Sequence, residues 1–204
     1  MPQKKLARPV LDLPFEEAFR FALSRHRLQA RKGTEIPYMA HLLQVTGIVL
    51  EAGGTEEQAV AALLHDSLED APHADVPLLR SAIRNRFGER VLDIVEALTD
   101  SEGEPKPPWK ERKQRYLEHL RRERDPAVLL VCCADKLHNV TAIVRDLKTH
   151  GPDVWTRFEG KREGTLWYYA ELVKAIHLPH DKPVLRDLAA LVAELHELAR
   201  HDSP

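Results

Sequence analysis

The chain has 204 residues, a hydrophobic fraction of 43% and a formal net charge of -2 at pH 7. This size and apolar content predict a globular protein with a buried core, and the near-neutral charge disfavours duplex nucleic acid as a partner. The two cysteines, Cys132 and Cys133, are adjacent within an apolar run, which argues against a disulfide framework and indicates a reducing compartment. The N-terminus lacks the apolar segment of a signal peptide, and no run approaches the roughly 18 apolar residues of a membrane span. We therefore expect a cytoplasmic protein that does not insert into a membrane.

Apolar residues recur at three- and four-residue steps through most of the chain, which predicts one helix after another. In chain order, the predicted helices cover about 15–26, 37–52, 55–71, 78–87, 91–98, 109–124, 126–150, 166–178 and 182–200. Thr55 and Gln58 form a capping-box pattern, Asp125 and Pro126 give a cap and first-turn signal, and 101–108 is the most loop-like stretch. No alternating strand pattern is present. The sequence therefore predicts an all-α protein, a single-domain helical bundle over 1–204 with its core at about 15–178 and a C-terminal helix at about 182–200.

The most informative motif is the polar stretch His65–Asp70, which directly follows the apolar run Ala59–Leu64. Burying such charges costs several kcal/mol per ion unless a partner or a metal compensates them. On a continued helix, His65 would share a face with Glu69, and Asp66 would share a face with both Glu69 and Asp70. The first pair could hold a divalent metal ion while the second pair orients or deprotonates water. A solvated, frayed helix end before Pro72 explains the same residues about equally well.

Three other places combine with this motif. His41 lies on the apolar stripe of the second helix, where a satisfied core histidine is the common explanation. Asp135 interrupts a strongly apolar run and could instead pair with Lys136 or Arg145. Arg31 and Lys32 could simply stabilise the C-terminal end of the first helix. Taken together, these residues and the His65–Asp70 motif predict a metal-dependent hydrolase.

Through these residues the sequence resembles the HD superfamily of metal-dependent phosphohydrolases, and within it the alarmone hydrolase domain of Rel/Spo proteins. The stand-alone small alarmone hydrolases, of the metazoan SpoT-homologue type, look most similar. Four blocks in the order of the family carry the resemblance: Arg31-Lys32 with Pro37-Tyr38 and His41; Ala61–Asp66 with Glu69-Asp70; Phe87-Gly88 with Val91, Val95 and Thr99; and Ala134–Asn139.

The resemblance implies a role for each matching position. The implied metal ligands are His41, His65, Asp66 and Asp135, the implied catalytic pair is Glu69 and Asp70, and the implied substrate-binding residues are Arg31, Lys32, Tyr38, Lys136 and Asn139. The family implies Mn²⁺, which also suits a mixed set of nitrogen and oxygen ligands. Lys110, Arg112 and Lys113 could reach distal phosphates, although a solvated charged helix explains them as well.

The activity implied by the resemblance is hydrolysis of the 3′-pyrophosphate of ppGpp and pppGpp to GDP or GTP plus pyrophosphate. Two alternatives stay open: an HD phosphohydrolase acting on another nucleotide, such as the 2′-phosphate of NADPH or a deoxynucleotide, and a non-catalytic nucleotide-binding sensor. The first alternative is favoured by Val140–Ala142, because family members often carry an arginine in this stretch. The expected partner is a small-molecule nucleotide, and a homodimer is compatible with the sequence.

Overall fold

A computed structural model describes residues 11–100, 106–178 and 183–201, and every regular element within these ranges is a helix. The α-helices are α1 Leu13–His26, α2 Met39–Glu51, α3 Glu56–Leu64, α4 Val76–Phe87, α5 Glu89–Leu98, α6 Trp109–Arg122, α7 Pro126–His150, α8 Lys161–Ala175 and α9 Pro183–His201. Short 3-10 helices cover His73–Asp75 and Gly151–Arg157. The backbone of Ala30 pairs with that of Pro37 in an isolated bridge that closes the loop between α1 and α2. The predicted all-α class is confirmed.

Helix starts follow the predicted capping signals. The Thr55 side chain accepts a hydrogen bond from the Gln58 backbone, and the Gln58 side chain in turn accepts one from the Thr55 backbone. The Asp125 side chain accepts from the backbone N–H of Ala127 at 2.9 Å, with Pro126 in the first turn. These contacts satisfy backbone donors that have no partner inside the helix. They fix the starts of α3, which leads into His65 and Asp66, and of α7, which carries Asp135.

Helix α7 is the central element of the bundle. It packs against α2, α3, α5 and α9, and most of its residues are buried. An 18-residue window within Pro126–Arg157 is long and apolar enough to cross a membrane by length and composition alone, and 78% of that window is buried inside the protein. The window includes charged residues, so it differs from the uninterrupted run of roughly 18 apolar residues that the sequence is predicted to lack. The same apolar residues form the core of the bundle, which accounts for their composition without a membrane.

The largest correction concerns the third helix, which the sequence predicts to continue to about residue 71, just before Pro72. Helix α3 ends at Leu64, and residues 65–70 form successive turns. The His65 ring nitrogen Nδ1 lies 2.8 Å from the carbonyl oxygen of Ala62, and the backbone N–H of Ser67 donates to the carbonyl of Leu64 at 2.9 Å. These contacts tighten the chain beyond the α-helical pattern. The predicted spacing of His65–Asp70 along a helix face is therefore wrong.

Two further boundaries differ from the prediction. Helix α8 begins at Lys161 rather than near Leu166, so it includes Gly164, a residue that weakens the helical sequence pattern. Gly160 and Gly164 leave room for the Trp109 ring. A Cβ at Gly160 would lie 2.6 Å from that ring. Helix α1 ends at His26, so Arg31 lies in the following loop and not at the helix end. Of the predicted loop 101–108, residues 101–105 lie outside the described residues.

Candidate metal and nucleotide site

The four predicted metal ligands converge on one point although they come from three separate segments. The Nε2 of His41, on α2, lies 3.5 Å from Asp66 Oδ2 and 3.3 Å from Asp135 Oδ1. The Nε2 of His65 lies 3.0 Å and 3.7 Å from the same two oxygens. Both imidazoles are buried, and the ligand atoms of His41, His65 and Asp66 all lie within 4.8 Å of one another. His41 is buried, as a core histidine would be, and it also lies within this cluster of candidate ligands, which favours the predicted role as a ligand.

The turn after α3 explains why two consecutive residues face the same point. Adjacent residues of an α-helix point about 100° apart, whereas the turn brings the ends of His65 and Asp66 together. The Nδ1 of His65 faces the Ala62 carbonyl, and its buried Nε2 makes no hydrogen bond. A buried ring nitrogen without a hydrogen bond, facing two carboxylates, fits a divalent metal ligand.

His138 lies behind His41 and was not predicted to have a role. The Nδ1 atoms of the two rings are 2.7 Å apart, and His138 is buried. Burial and the neighbouring His41 lower the pKa of His138 to about 4, so this ring is neutral at pH 7. Its Nδ1 can then accept a hydrogen bond from the Nδ1–H of His41, which leaves the Nε2 of His41 free to bind a metal ion.

The two candidate carboxylate ligands are held by polar neighbours. Tyr38 donates its hydroxyl hydrogen to Asp66 Oδ2 at 2.6 Å. Asp135 accepts hydrogen bonds from Lys136 and Asn139, each at 2.6 Å. Burial alone would raise the pKa of Asp135, but Lys136 and the imidazoles lower it well below its usual range. This carboxylate is therefore ionised at neutral pH, as a metal ligand must be.

The predicted catalytic pair is divided between two neighbouring cavities. Glu69 lines a cavity of about 160 Å³ together with the four candidate ligands, whereas Asp70 lines a larger cavity of about 590 Å³. Tyr38, His41 and Asn139 border both cavities, so the two spaces adjoin. Glu69 thus lies beside the four candidate metal ligands, and Asp70 lies beside the space that could hold the body of a substrate.

Burial raises the pKa of Glu69, and the charge of Asp66 raises it further. The backbone N–H of Asp100 donates to Glu69 Oε2 at 3.3 Å, and Lys106 lies 3.9 Å from Oε1. A carboxylate with a raised pKa near a water-binding site is a stronger base than an exposed glutamate. Burial and Asp66 raise the pKa of Asp70 as well.

The five predicted substrate-binding residues all border these cavities. Arg31, Lys32, Tyr38 and Asn139 line the larger cavity, and Lys136 lines the smaller one with Tyr38 and Asn139. Arg31 donates to Asn139 Oδ1 at 2.7 Å, which joins the loop after α1 to α7. The structure therefore brings together the residues to which the resemblance assigns a metal-binding, catalytic or substrate-binding role.

The helix-α6 cations divide into two groups. Arg112 is buried and donates to Asp100 and Glu159 at 2.8 Å, and Lys113 donates to Asp100 at 2.7 Å. Both residues line a third cavity of about 240 Å³, so a solvated charged face does not describe them. Lys110 lies over the Trp167 ring, 5.9 Å from its centroid, and lines none of these three cavities.

Three supporting contacts escaped prediction because the residues that make them, Gln29 and His26, carry no distinctive motif. Gln29 donates to Asp70 Oδ2 at 2.7 Å, and its Oε1 lies 2.6 Å from His26 Nδ1. The His26 ring stacks on Tyr38, with centroids 5.2 Å apart. These contacts connect the C-terminal end of α1 to Asp70 through Gln29 and to Asp66 through Tyr38. The one available signal was the position of Gln29 between His26 and the predicted basic pair.

Comparison with known proteins agrees with this geometry. A family model described as HD domain matches residues 18–166. The chain belongs to the HD-domain family. As an HD domain it is similar to the guanosine-3′,5′-bis(diphosphate) 3′-pyrophosphohydrolase MESH1 of Xenopus tropicalis, with 37% identity over 163 residues that cover 78% of this chain and 83% of that protein.

Two further relatives place this HD domain among long and short proteins. It is 33% identical to the guanosine-3′,5′-bis(diphosphate) 3′-pyrophosphohydrolase of Aquifex aeolicus, and the match covers 85% of this chain but 23% of that protein. A solved structure of a metazoan SpoT orthologue, described as hydrolysing ppGpp, superposes with a TM-score of 0.68 at 28% identity and covers 93% of this chain and 96% of that one. The resemblance to Rel/Spo hydrolases is confirmed. HD-domain phosphohydrolases depend on divalent metal ions, and the His and Asp cluster fits that dependence.

Proposed function

We propose that this protein hydrolyses the 3′-pyrophosphate of ppGpp and pppGpp, giving GDP or GTP plus pyrophosphate, with Mn²⁺ as its metal ion. One observation carries the proposal: two imidazoles and two carboxylates converge beside Glu69, next to a cavity of about 590 Å³. Similarity to proteins named as ppGpp hydrolases supports the choice of substrate.

His41, His65, Asp66 and Asp135 would hold the ion. Their mixed set of two nitrogen and two oxygen donors would suit Mn²⁺ better than Zn²⁺ and would leave room on the ion for water and phosphate oxygens. When bound, a divalent ion neutralises charge on the phosphoryl group and lowers the pKa of water.

The side chains around the cluster supply the remaining functions. Glu69 takes a proton from the attacking water, and its raised pKa suits that role. The water oxygen forms a bond to the phosphorus attached to the ribose 3′ oxygen, the bond from phosphorus to that oxygen breaks, and the 3′ oxygen gains a proton. Lys136 and Arg31 offset the negative charge of the pyrophosphate, and Arg31 offers a planar fork that matches phosphate oxygens.

Asp70 orients the substrate or its water from the larger cavity, with its carboxylate held by Gln29. Lys32, Tyr38 and Asn139 contact the nucleotide in the same cavity. We further infer that the whole chain, 1–204, acts as one HD domain on a free nucleotide in the cytoplasm. Its buried, unpaired cysteines agree with a reducing compartment.

The test is product analysis with purified protein, ppGpp and Mn²⁺. We expect release of GDP and pyrophosphate that EDTA abolishes and that Asp66→Ala abolishes together with metal binding. Asp93→Ala, which changes an exposed carboxylate on α5, is the matched control and should retain full activity. Orthophosphate release from NADPH without turnover of ppGpp would refute the proposal, as would nucleotide binding without any turnover.

A further inference from the structure

The larger cavity contains an acid–base pair that the proposed chemistry does not use. Asp146, on the last part of α7, accepts a hydrogen bond from Arg157 Nη1 at 3.0 Å through its Oδ2. Both residues line the cavity, and their side chains are 23% and 25% exposed. The pair therefore faces the cavity while remaining largely enclosed by protein.

Three segments hold this pair in position: α7, which carries Asp146, the 3-10 helix that ends at Arg157, and the loop that contains Gly33. Arg157 lies at the end of the 3-10 helix Gly151–Arg157, and its side chain passes over Gly33 in the loop after α1. A Cβ at Gly33 would lie 2.9 Å from Arg157 Cδ, and Gly33 has a φ of +72°, which disfavours other residues. Because Gly33 has no side chain, the Arg157 side chain can lie directly against the backbone of this loop. The arrangement has the features of a preorganised binding group rather than a mobile surface ion pair.

Both partners retain unused hydrogen-bonding capacity. Among the described residues, Asp146 Oδ1 makes no hydrogen bond and has Arg145 as an ion-pair neighbour at 3.8 Å. Within the same described residues, Arg157 donates a hydrogen bond through Nη1, whereas its Nε and Nη2 groups have no acceptor. The cavity end thus offers a carboxylate acceptor next to guanidinium donors.

The pair lies at a suitable distance from the metal cluster. Asp135, Asn139, Ala142 and Asp146 recur along one face of α7, and the last three line the cavity. Asp135 and Asp146 are eleven residues apart, about 16 Å along the axis at 1.5 Å per residue. A nucleoside 3′-phosphate spans such a distance when its phosphate contacts a metal ion and its base edge makes hydrogen bonds. Phe158, Ile36 and Ile143 also line this cavity and offer the base an apolar wall.

We propose that Asp146 and Arg157 recognise the guanine base of the nucleotide. Asp146 accepts hydrogen bonds from guanine N1–H and the 2-amino group, and Arg157 donates to O6. Adenine presents an acceptor at N1, which the carboxylate repels, and a donor at position 6, which faces the guanidinium. This inference rests on the proposed function for its class of ligand, and it adds the residues that select the base.

Binding of products tests this inference without any need for turnover. We would measure the affinities of GDP, IDP and ADP by calorimetry with Mn²⁺ present. The unmodified protein should bind GDP more tightly than IDP, which lacks the 2-amino group, and bind ADP least tightly. A well-formed pair of hydrogen bonds discriminates between bases by about tenfold to a hundredfold. Equal affinities for GDP and ADP would overturn the inference.

Two variants and a control locate the selectivity. Asp146→Asn should weaken GDP binding about tenfold or more, because the amide keeps one acceptor oxygen for the two donors N1–H and the 2-amino group. IDP binding should weaken less, because IDP has no 2-amino group to lose its acceptor. Arg157→Gln should weaken GDP and IDP alike and leave ADP unchanged. Lys148→Gln, which removes an α7 cation paired with Glu194 on α9, is the control and should change none of the three affinities.

The outcomes separate this inference from the proposed activity. Selective GDP binding that Asp146→Asn removes would support base recognition even if ppGpp is not hydrolysed. Hydrolysis of ppGpp with an unchanged GDP to ADP affinity ratio in both variants would overturn base recognition and leave the activity intact. A loss of affinity for all three nucleotides in both variants would show a structural role for the pair and would also overturn the inference.

Discussion

The buried ion pair between Lys136 and Asp135 provides a test of Asp135 as a metal ligand through protein stability. Lys136 Nζ lies 2.6 Å from Asp135 Oδ2, and the two side chains are 16% and 8% exposed. Removing one partner of a buried pair costs about 3–5 kcal/mol because the other charge is left uncompensated. In Lys136→Met, Asn139 still donates to Asp135 at 2.6 Å, and the methionine fills most of the lysine stem. We therefore expect a loss near the lower end, about 3 kcal/mol.

This loss can be measured by thermal unfolding of the metal-free protein. For a chain of this size, 1 kcal/mol corresponds to about 2–4 °C, so the Tm of Lys136→Met should fall by roughly 6–12 °C. The loss should be largest at neutral and higher pH. Lys136 holds the pKa of Asp135 down, so its removal raises that pKa and the destabilisation shrinks as pH falls through the new value.

Addition of Mn²⁺ then tests whether Asp135 is a ligand. A bound cation would replace the missing positive charge, so Mn²⁺ should raise the Tm of Lys136→Met by more than it raises that of the unmodified protein. Lys148→Met breaks an exposed pair with Glu194 and should cost about 1 kcal/mol or less, with no change in the response to Mn²⁺. An equal or smaller Mn²⁺ response in Lys136→Met would refute the assignment of Asp135.

Other substitutions probe catalysis and packing separately. Glu69→Gln should keep Mn²⁺ and GDP binding while kcat falls by about 10²–10⁴-fold, as measured by pyrophosphate release; a wild-type kcat would remove Glu69 from the role of base. Lys113→Gln should shift the acidic limb of the kcat/KM profile to higher pH, because Lys113 lowers the pKa of Glu69 and the ionised form is the active one; a shift to lower pH would contradict this electrostatic account. Gly160→Val should lower the Tm through a clash with the Trp109 ring, whereas an unchanged Tm would show that α6 and α8 adjust freely.

The helices were predictable from sequence where local signals agree with burial. The capping box at Thr55 and the Asp125-Pro126 start predicted α3 and α7, because these signals act within one turn. The end of α3 was not predictable in the same way. Its apolar run and the polar residues after it match a continued helix, and the helix ends because His65 and Asp66 face one point in the tertiary structure. Local propensity carries no information about that convergence.

The candidate site also combines residues that were identifiable from sequence with contacts that were not. His41, His65, Asp66 and Asp135 were identifiable as ionisable residues in apolar surroundings and as part of a family pattern. The contact between His41 and His138 joins α2 to α7 across the core, and neither residue has a sequence neighbour that signals it. The separation of Glu69 from Asp70 likewise follows from the turn geometry, since adjacent residues there face different cavities.

The reactivity of the two cysteines of α7 reports how often the core of the bundle unfolds locally. Both thiols are buried, and burial raises the pKa of Cys132 to about 11 and that of Cys133 further above its ordinary value. Alkylating reagents and oxidants react with thiolates, so neither sulfur reacts while α7 stays packed. The rate of thiol labelling therefore counts unfolding events of the helix that carries Asp135. Slower labelling on addition of Mn²⁺ would measure, in the unmodified chain, how strongly the ion holds the bundle closed.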